Sequence, residues 1–156
     1  MRSPKGSRPA VWVGADNYVQ LVEDPIFWQA LSNNLWYALG TIPVSIALSL
    51  LMAVWVHGKI AGRGFLRLAY FTPTVLPMIA VANIWLFFYT PEYGLLEQFT
   101  KGLGFPSHNW LGSNSTALAS LMVVTIWKEA GFFMIFYLAA LQSMSPSLAE
   151  AAAIEG

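Results

Sequence analysis

The chain contains no cysteine among its 156 residues, and it is poor in charge. Without cysteine there is no disulfide, no thiol nucleophile and no thiolate metal ligand, so sites of those kinds are excluded. Charged residues make up 10% of the chain, against roughly 25% in a soluble globular domain. Because the formal net charge is +0, there is no basic excess to neutralise phosphates, which argues against a nucleic-acid partner. Much of the surface is therefore expected to face something other than water.

Hydrophobic sequence is abundant, at 56% of the residues. No charge lies between Leu35 and Val56, and as a helix this run of 22 residues is roughly 33 Å long. That length matches the ~30 Å hydrocarbon core of a bilayer, in which a helix satisfies its own backbone groups. Two more apolar segments follow. We therefore predict an all-α membrane protein with an external segment at 1–34 and a transmembrane domain at 35–156, whose spans lie at about 35–56, 68–89 and 116–141.

Local signals refine these helices. Asp24 followed by Pro25 is typical of a helix start, with the aspartate as N-cap. Pro73 and Pro77 each remove a backbone donor, so the second span is predicted to kink or break. In the polar connection that follows, a short helix is predicted around 95–101.

The basic residues predict which side of the membrane each connection occupies. The connection 57–67 holds three basic residues close to two spans, whereas the connection 90–115 holds one. Because basic residues near span ends favour the cytoplasm, 57–67 is predicted to be cytoplasmic. The segments 1–34 and 90–115 are then external, and the C-terminal segment is cytoplasmic.

Two charges, Lys128 and Glu129, lie near the middle of the third span. Each costs at least ~2.5–3.5 kcal/mol at mid-bilayer, so they are expected to face protein or water. Adjacent helical residues point about 100° apart, so each charge is predicted to find its partner on another helix. The pair then marks a translocation pathway or an interhelical lock. An equally good interpretation is that the span is longer than the bilayer and tilted, so that the Lys128 side chain reaches the membrane surface.

No enzyme is predicted. The carboxylates form no recognisable acid/base pair. His57 and His108 fall on opposite sides of the predicted topology, so they cannot share a metal ion. No glycine-rich phosphate loop precedes a lysine, so the chain is predicted to bind neither ATP nor another cofactor by itself.

The segment 145–156 predicts a short cytoplasmic helix. Ser145 is a suitable N-cap with Pro146 at the first helical position, and Gly156 can end the helix. The alanines between them favour helix and present a small surface that another protein can approach closely. From these residues alone, a docking helix and an ordinary connector are equally good interpretations.

The motif Glu150-Ala151-Ala152-x-x-x-Gly156 resembles the EAA motif of permease subunits of binding-protein-dependent ABC importers, which have the MetI-like transmembrane fold. Further matches to the same family, in order along the chain, are Gly14, Asp16-Asn17-Tyr18, Phe27-Trp28, Gly62-Arg63-Gly64-Phe65, Pro73, Leu76-Pro77, Pro91 and Gly94-Leu95-Leu96. The stretch directly before the motif resembles the lead-in typical of the sugar and glycerol-phosphate branch, in Ala139-Ala140-Leu141-Gln142-Ser143, Pro146 and Leu148.

The resemblance implies a function. It implies a multi-pass permease of the bacterial or archaeal cytoplasmic (inner) membrane that carries a small solute, most simply a carbohydrate. By resemblance, Glu150, Ala151, Ala152 and Gly156 dock into a cytoplasmic ATPase subunit, which binds the ATP. The other implied partners are a second permease subunit in a heterodimer, an extracytoplasmic solute-binding protein and membrane lipid.

The sequence also departs from the family. The family has a further span before the region of Val13 and two more spans after the motif, so a fragment truncated at both ends is expected. Two alternatives remain open. Part of a secondary transporter would suit the prolines and charges in the spans and would be driven by an ion gradient. A non-transporting membrane scaffold would bind partners but no ATPase.

Overall fold

A computed structural model describes residues 14–58, 60–145 and Ile154. This part of the chain contains no strand, and its helices are α1 (Asp16–Glu23), α2 (Pro25–His57), α3 (Arg63–Val75), α4 (Met78–Tyr89), α5 (Leu95–Gly102) and α6 (Ala117–Ser143). The predicted all-α class is confirmed over these residues. The chain divides into two compact units, 1–35 and 36–156.

In the first unit, the predicted helix start is confirmed. The backbone N–H of Ile26 donates to Asp24 Oδ1 at 2.8 Å, so Asp24 caps α2 and Pro25 occupies its first position. Proline suits that position because the N–H it lacks would have had no helical partner. The indole of Trp28 donates to the Val22 carbonyl at 2.7 Å, which closes the turn after α1.

Helices α2 and α6, of 33 and 27 residues, are long and apolar enough to cross a membrane. Their most apolar stretches have mean hydropathies of 2.1 and 1.6. In the second unit, Trp36, Leu39 and Leu51 of α2 are each more than half exposed. Such a large exposed apolar surface suits contact with lipid.

The predicted second span, 68–89, consists of two helices. Helices α3 and α4 meet at a bend of 101°, so together they form a broken span or a re-entrant loop. Pro77 lies at the N-cap of α4, and Leu76 before it is extended, with φ −66° and ψ 132°. Proline disfavours the helical conformation in the residue before it, which explains a break at this place. Pro73 lies inside α3 and does not end it.

Two hydrophobic clusters hold the second unit together, and α6 contributes to both. The first joins α2 to α6 through Ala53, Val56, Met134 and Leu138, with Leu66 and Tyr70 of α3 packed against it. The second joins α4 to α6 through Val81, Tyr89 and Val124, with Leu76, Trp85, Leu96, Trp110, Leu111 and Trp127 packed against it. Helix α6 is therefore the common packing partner of α2, α3 and α4.

Candidate functional site

A row of buried hydroxyl groups follows one face of α2. Thr41, Ser45 and Ser49 recur every four residues, which places them on one face, and none is more than 5% exposed. Thr41 Oγ1 donates to the Tyr37 carbonyl at 2.7 Å, and Ser49 Oγ donates to the Ile46 carbonyl at 2.9 Å. These bonds within the helix lower the cost of burying the two donors.

Part of this row borders a cleft of about 470 Å³ between α2 and α6. A hydrogen bond between the Tyr37 and Thr125 hydroxyls joins the same two helices. The walls combine hydroxyls, one carboxylate and aromatic rings, a combination suited to a polar solute. The lining residues are Thr41, Ile42, Ser45, Ile46, Thr125, Glu129, Phe133 and Tyr137.

The prediction that Lys128 and Glu129 seek partners on other helices is wrong, because they pair with each other. Lys128 Nζ lies 3.3 Å from Glu129 Oε1, and the two side chains are 20% and 36% exposed. Their Cβ atoms diverge by about 100°, but the four-carbon stem of lysine is long and flexible enough to bring the ammonium back. Pairing reduces the cost of holding both charges in a span. Glu129 also lines the cleft, whereas Lys128 does not.

Helix α3 contacts the backbone of α6 beside this ion pair. Thr74 Oγ1 donates to the Lys128 carbonyl at 3.1 Å. Three residues further along α6, a Cβ placed on Gly131 would overlap the carbonyl group of Tyr70. The main chains of α3 and α6 are therefore in direct contact beside the cleft. Lys128 does contact another helix, but through its backbone oxygen and not through its ammonium.

Glu97 in α5 is a buried charge that the sequence analysis missed. Its side chain is 1% exposed, pairs with Lys101 Nζ at 3.3 Å and accepts the His108 backbone N–H at 3.3 Å. A hydrogen bond from the Ser107 side chain, opposed by burial and assisted by His108 and Lys101, lowers the pKa of the Glu97 carboxyl. The only sequence signal was the four-residue spacing of Glu97 and Lys101, which is common on solvated helices.

The same network reaches the start of α6. His108 Nε2 lies 3.0 Å from Thr116 Oγ1, which donates to the Trp110 carbonyl at 2.9 Å. These bonds tie the connection between α4 and α6 to the start of α6. Among the residues that the structure describes, no three His, Asp or Glu side chains are grouped closely enough to hold a metal ion.

The four predicted docking residues, Glu150, Ala151, Ala152 and Gly156, lie outside the described residues, as does most of the segment 145–156. Helix α6 ends at Ser143, shortly before them. Their role therefore stays a prediction.

Comparison with known proteins gives a consistent set of relatives, although no family model matches the chain. The chain is 35% identical over 149 residues to the probable ABC transporter permease protein YurN of Bacillus subtilis, covering 93% of this chain and 51% of YurN. It is 34% identical to the diacetylchitobiose uptake system permease protein NgcF of Streptomyces coelicolor, over 93% of this chain and 44% of NgcF. The chain spans about half the length of the curated relatives it matches. These relatives are transporter permeases and not enzymes.

A solved structure agrees with the sequence relatives. The fold matches a chain of a bacterial ABC transporter involved in the import of the acidic polysaccharide alginate, with a TM-score of 0.81 and 26% identity. The match covers 93% of this chain and 51% of that chain. The helical arrangement described above is thus that of about half of such a chain.

Proposed function

Since this chain is a relative of the permease subunits of ABC importers, with their MetI-like fold, we propose that it forms part of the membrane permease of an ATP-driven carbohydrate importer. The observation that carries the proposal is the 35% identity over 149 residues to a probable ABC transporter permease protein. Support for a carbohydrate comes from relatives whose names specify diacetylchitobiose, trehalose or maltose, and sulfoquinovosyl glycerol. The proposed location is the cytoplasmic membrane of a bacterium or archaeon, crossed several times.

The cleft between α2 and α6 is the proposed solute path within this chain. Its hydroxyls can exchange hydrogen bonds with a polyhydroxylated solute, and its aromatic rings can pack against the apolar faces of that solute. Glu129 adds a strong acceptor, and its charge is partly neutralised by Lys128. A carboxylate in a span is favoured where it lines a polar passage.

The proposed coupling to ATP uses the segment that follows α6. Glu150, Ala151, Ala152 and Gly156 would dock into a cytoplasmic ATPase subunit, which binds the nucleotide. Because α6 packs against α2, α3 and α4, a displacement of its cytoplasmic end would reach every wall of the cleft. A second permease subunit would complete the path, and an extracytoplasmic solute-binding protein would deliver the solute.

The experiment is uptake by the assembled transporter in proteoliposomes, supplied with binding protein, a labelled oligosaccharide and internal ATP. We expect ATP-dependent uptake. Ala152→Trp or Gly156→Leu should abolish uptake and remove the stimulation of ATP hydrolysis by the binding protein, because a bulky side chain would block docking. Ala140→Leu, an exposed position on α6, is the matched control and should leave both unchanged.

The outcomes separate the alternatives. Uptake driven by an ion gradient without an ATPase would indicate a secondary transporter. Partner proteins that always co-purify with the chain, without an ATPase and without any uptake, would indicate a scaffold. Normal coupling in Gly156→Leu would contradict the docking role. If Lys128→Met and Glu129→Gln both transport at the unaltered rate, the cleft is not the path.

A further inference from the structure

Helix α5 exposes apolar side chains and buries a carboxylate. Leu95, Phe99 and Leu103 recur every four residues on one face and are 45%, 66% and 61% exposed, and Phe105 just beyond them is 61% exposed. We call these four residues the outer stripe. The opposite face carries Glu97, which is 1% exposed. In water the reverse arrangement is expected, so the outer stripe needs an apolar environment.

The structure places α5 at the end of α4. Only five residues separate Tyr89 from Leu95. Gly94 among them is buried, and a Cβ placed on it would overlap the carbonyl oxygens of Phe88, in the last turn of α4, and of Thr90, its C-cap. The start of α5 is therefore packed on the backbone at that end of α4 and cannot extend away into solvent.

The opposite side of α5 is attached to the same cluster as α6. Leu96 packs against the cluster of Val81, Tyr89 and Val124, the last of which belongs to the N-terminal part of α6. Trp110 joins this cluster, and the Tyr89 hydroxyl donates to the Ser120 carbonyl at 3.1 Å. Tyrosine and tryptophan are enriched where spans leave the hydrocarbon for the headgroups. Helix α5 lies beside the end of α4 and the start of α6, and aromatic residues at such a place are typical of a membrane surface.

We propose that the outer stripe lies in the boundary between headgroups and acyl chains, so that 95–105 is an interfacial membrane anchor. Phenylalanine and leucine on one face of a short helix suit this boundary, and Lys101, 45% exposed, can reach the headgroups. Lipid is the occupant favoured here because α5 is packed directly against the ends of two apolar helices. The buried network around Glu97 keeps the carboxylate away from lipid while it holds the apolar face outward.

The consequence is mechanical. The connection between α4 and α6 then contacts lipid on one side and the first turns of α6 on the other, so that it links α6 to the membrane surface. This inference requires only that the apolar helices lie in a membrane, and it stands or falls independently of solute transport and ATP.

The test uses nitroxide labels, for which the absence of cysteine in the chain is an advantage. Single variants Phe99→Cys and Leu103→Cys are labelled, with Gln98→Cys and Asn114→Cys as exposed polar controls. The chain is placed in nanodiscs of phosphatidylethanolamine and phosphatidylglycerol. Collision with oxygen, which concentrates in lipid, is compared with collision with a water-soluble nickel complex. All four positions are exposed, so the labels should not disturb folding, and far-UV circular dichroism checks this.

We expect the ratio of oxygen to nickel collisions at positions 99 and 103 to exceed that of both controls by roughly threefold or more, as for residues at the acyl boundary. Nickel collisions as frequent as at Gln98→Cys would place the stripe in water and overturn the proposal. Few collisions with either reagent would show that protein covers the stripe, and would overturn it as well.

Discussion

Replacing Gly131 by alanine tests the packing of α3 against α6. In the folded chain, a Cβ at this position would overlap the carbonyl oxygen of Tyr70 and lie 2.8 Å from its carbonyl carbon. The obstacle is main chain, which cannot rotate aside as a side chain can. The two helices must separate locally, and the bond from Thr74 Oγ1 to the Lys128 carbonyl, now 3.1 Å, must lengthen.

The magnitude follows from three terms. Overpacking of this kind costs typically about 1–3 kcal/mol. Weakening an interhelical hydrogen bond in a membrane adds about 0.6 kcal/mol. Alanine returns about 0.8–1 kcal/mol through its higher helix propensity. We therefore expect Gly131→Ala to lower the free energy of unfolding by about 0.6–2.8 kcal/mol.

The assay is SDS-induced unfolding in mixed micelles, followed by tryptophan fluorescence. Gly64→Ala in α3 is the matched control, because no atom lies within 4 Å of the added Cβ. It should stabilise the chain slightly. Gly40→Ala should fall between the two, because its Cβ meets the flexible end of Met122, with Sδ at 2.6 Å.

An equal or higher unfolding midpoint for Gly131→Ala than for Gly64→Ala would refute the reasoning. It would mean that the backbones of α3 and α6 do not touch at this position. Thr74→Val then serves as a second measurement, since it removes the neighbouring hydrogen bond without adding volume at Gly131.

Three more predictions concern polar groups. The pKa of Glu97 is lowered from 4.5 in the folded chain, so the ionised carboxylate stabilises the fold above that pH, and this stabilisation is lost as the pH falls through the lower folded pKa. Amide hydrogen exchange of 95–116, corrected for intrinsic rates, should therefore accelerate on acidification in the unaltered chain. It should not accelerate in Glu97→Gln. A cycle of Lys128→Met, Glu129→Gln and the double variant should give a coupling energy on the order of 1 kcal/mol by SDS unfolding, and zero coupling would contradict the ion pair. Tyr37→Phe should lower unfolding stability by about 0.6 kcal/mol. Adding Thr125→Val to Tyr37→Phe should lower the free energy of unfolding by little more. Full additivity of the two single changes would exclude the bond between the two hydroxyls.

Much of the helical layout was predictable, because its signals are local. The cap at Asp24 depends on residues within two positions of it, and the break at Pro77 depends on the proline ring and the residue before it. The short helix predicted around 95–101 is confirmed as α5. Each of these features needs only a few consecutive residues, so the order of residues was sufficient.

The pairing of charges was not predictable in the same way. Helical geometry correctly gave the angle between Lys128 and Glu129, but it did not include the length of the lysine stem. The burial of Glu97 depends on Ser107 and His108, which lie ten and eleven positions further along the chain. The course of the loop decides which residues of the connection contact α5, and no periodicity in the sequence encodes that course.

From its order of residues alone, the chain could be predicted to be a helical membrane protein that resembles ABC importer permeases, because apolar length, proline breaks and sequence motifs are properties of neighbouring residues. Only the tertiary structure decided that α6 is shared by both hydrophobic clusters, that Gly131 meets the backbone of α3, and that Glu129 borders a cleft with Thr41 and Ser45. Those contacts join residues far apart in the chain, and their geometry depends on how whole helices pack, which the pattern along one helix does not specify.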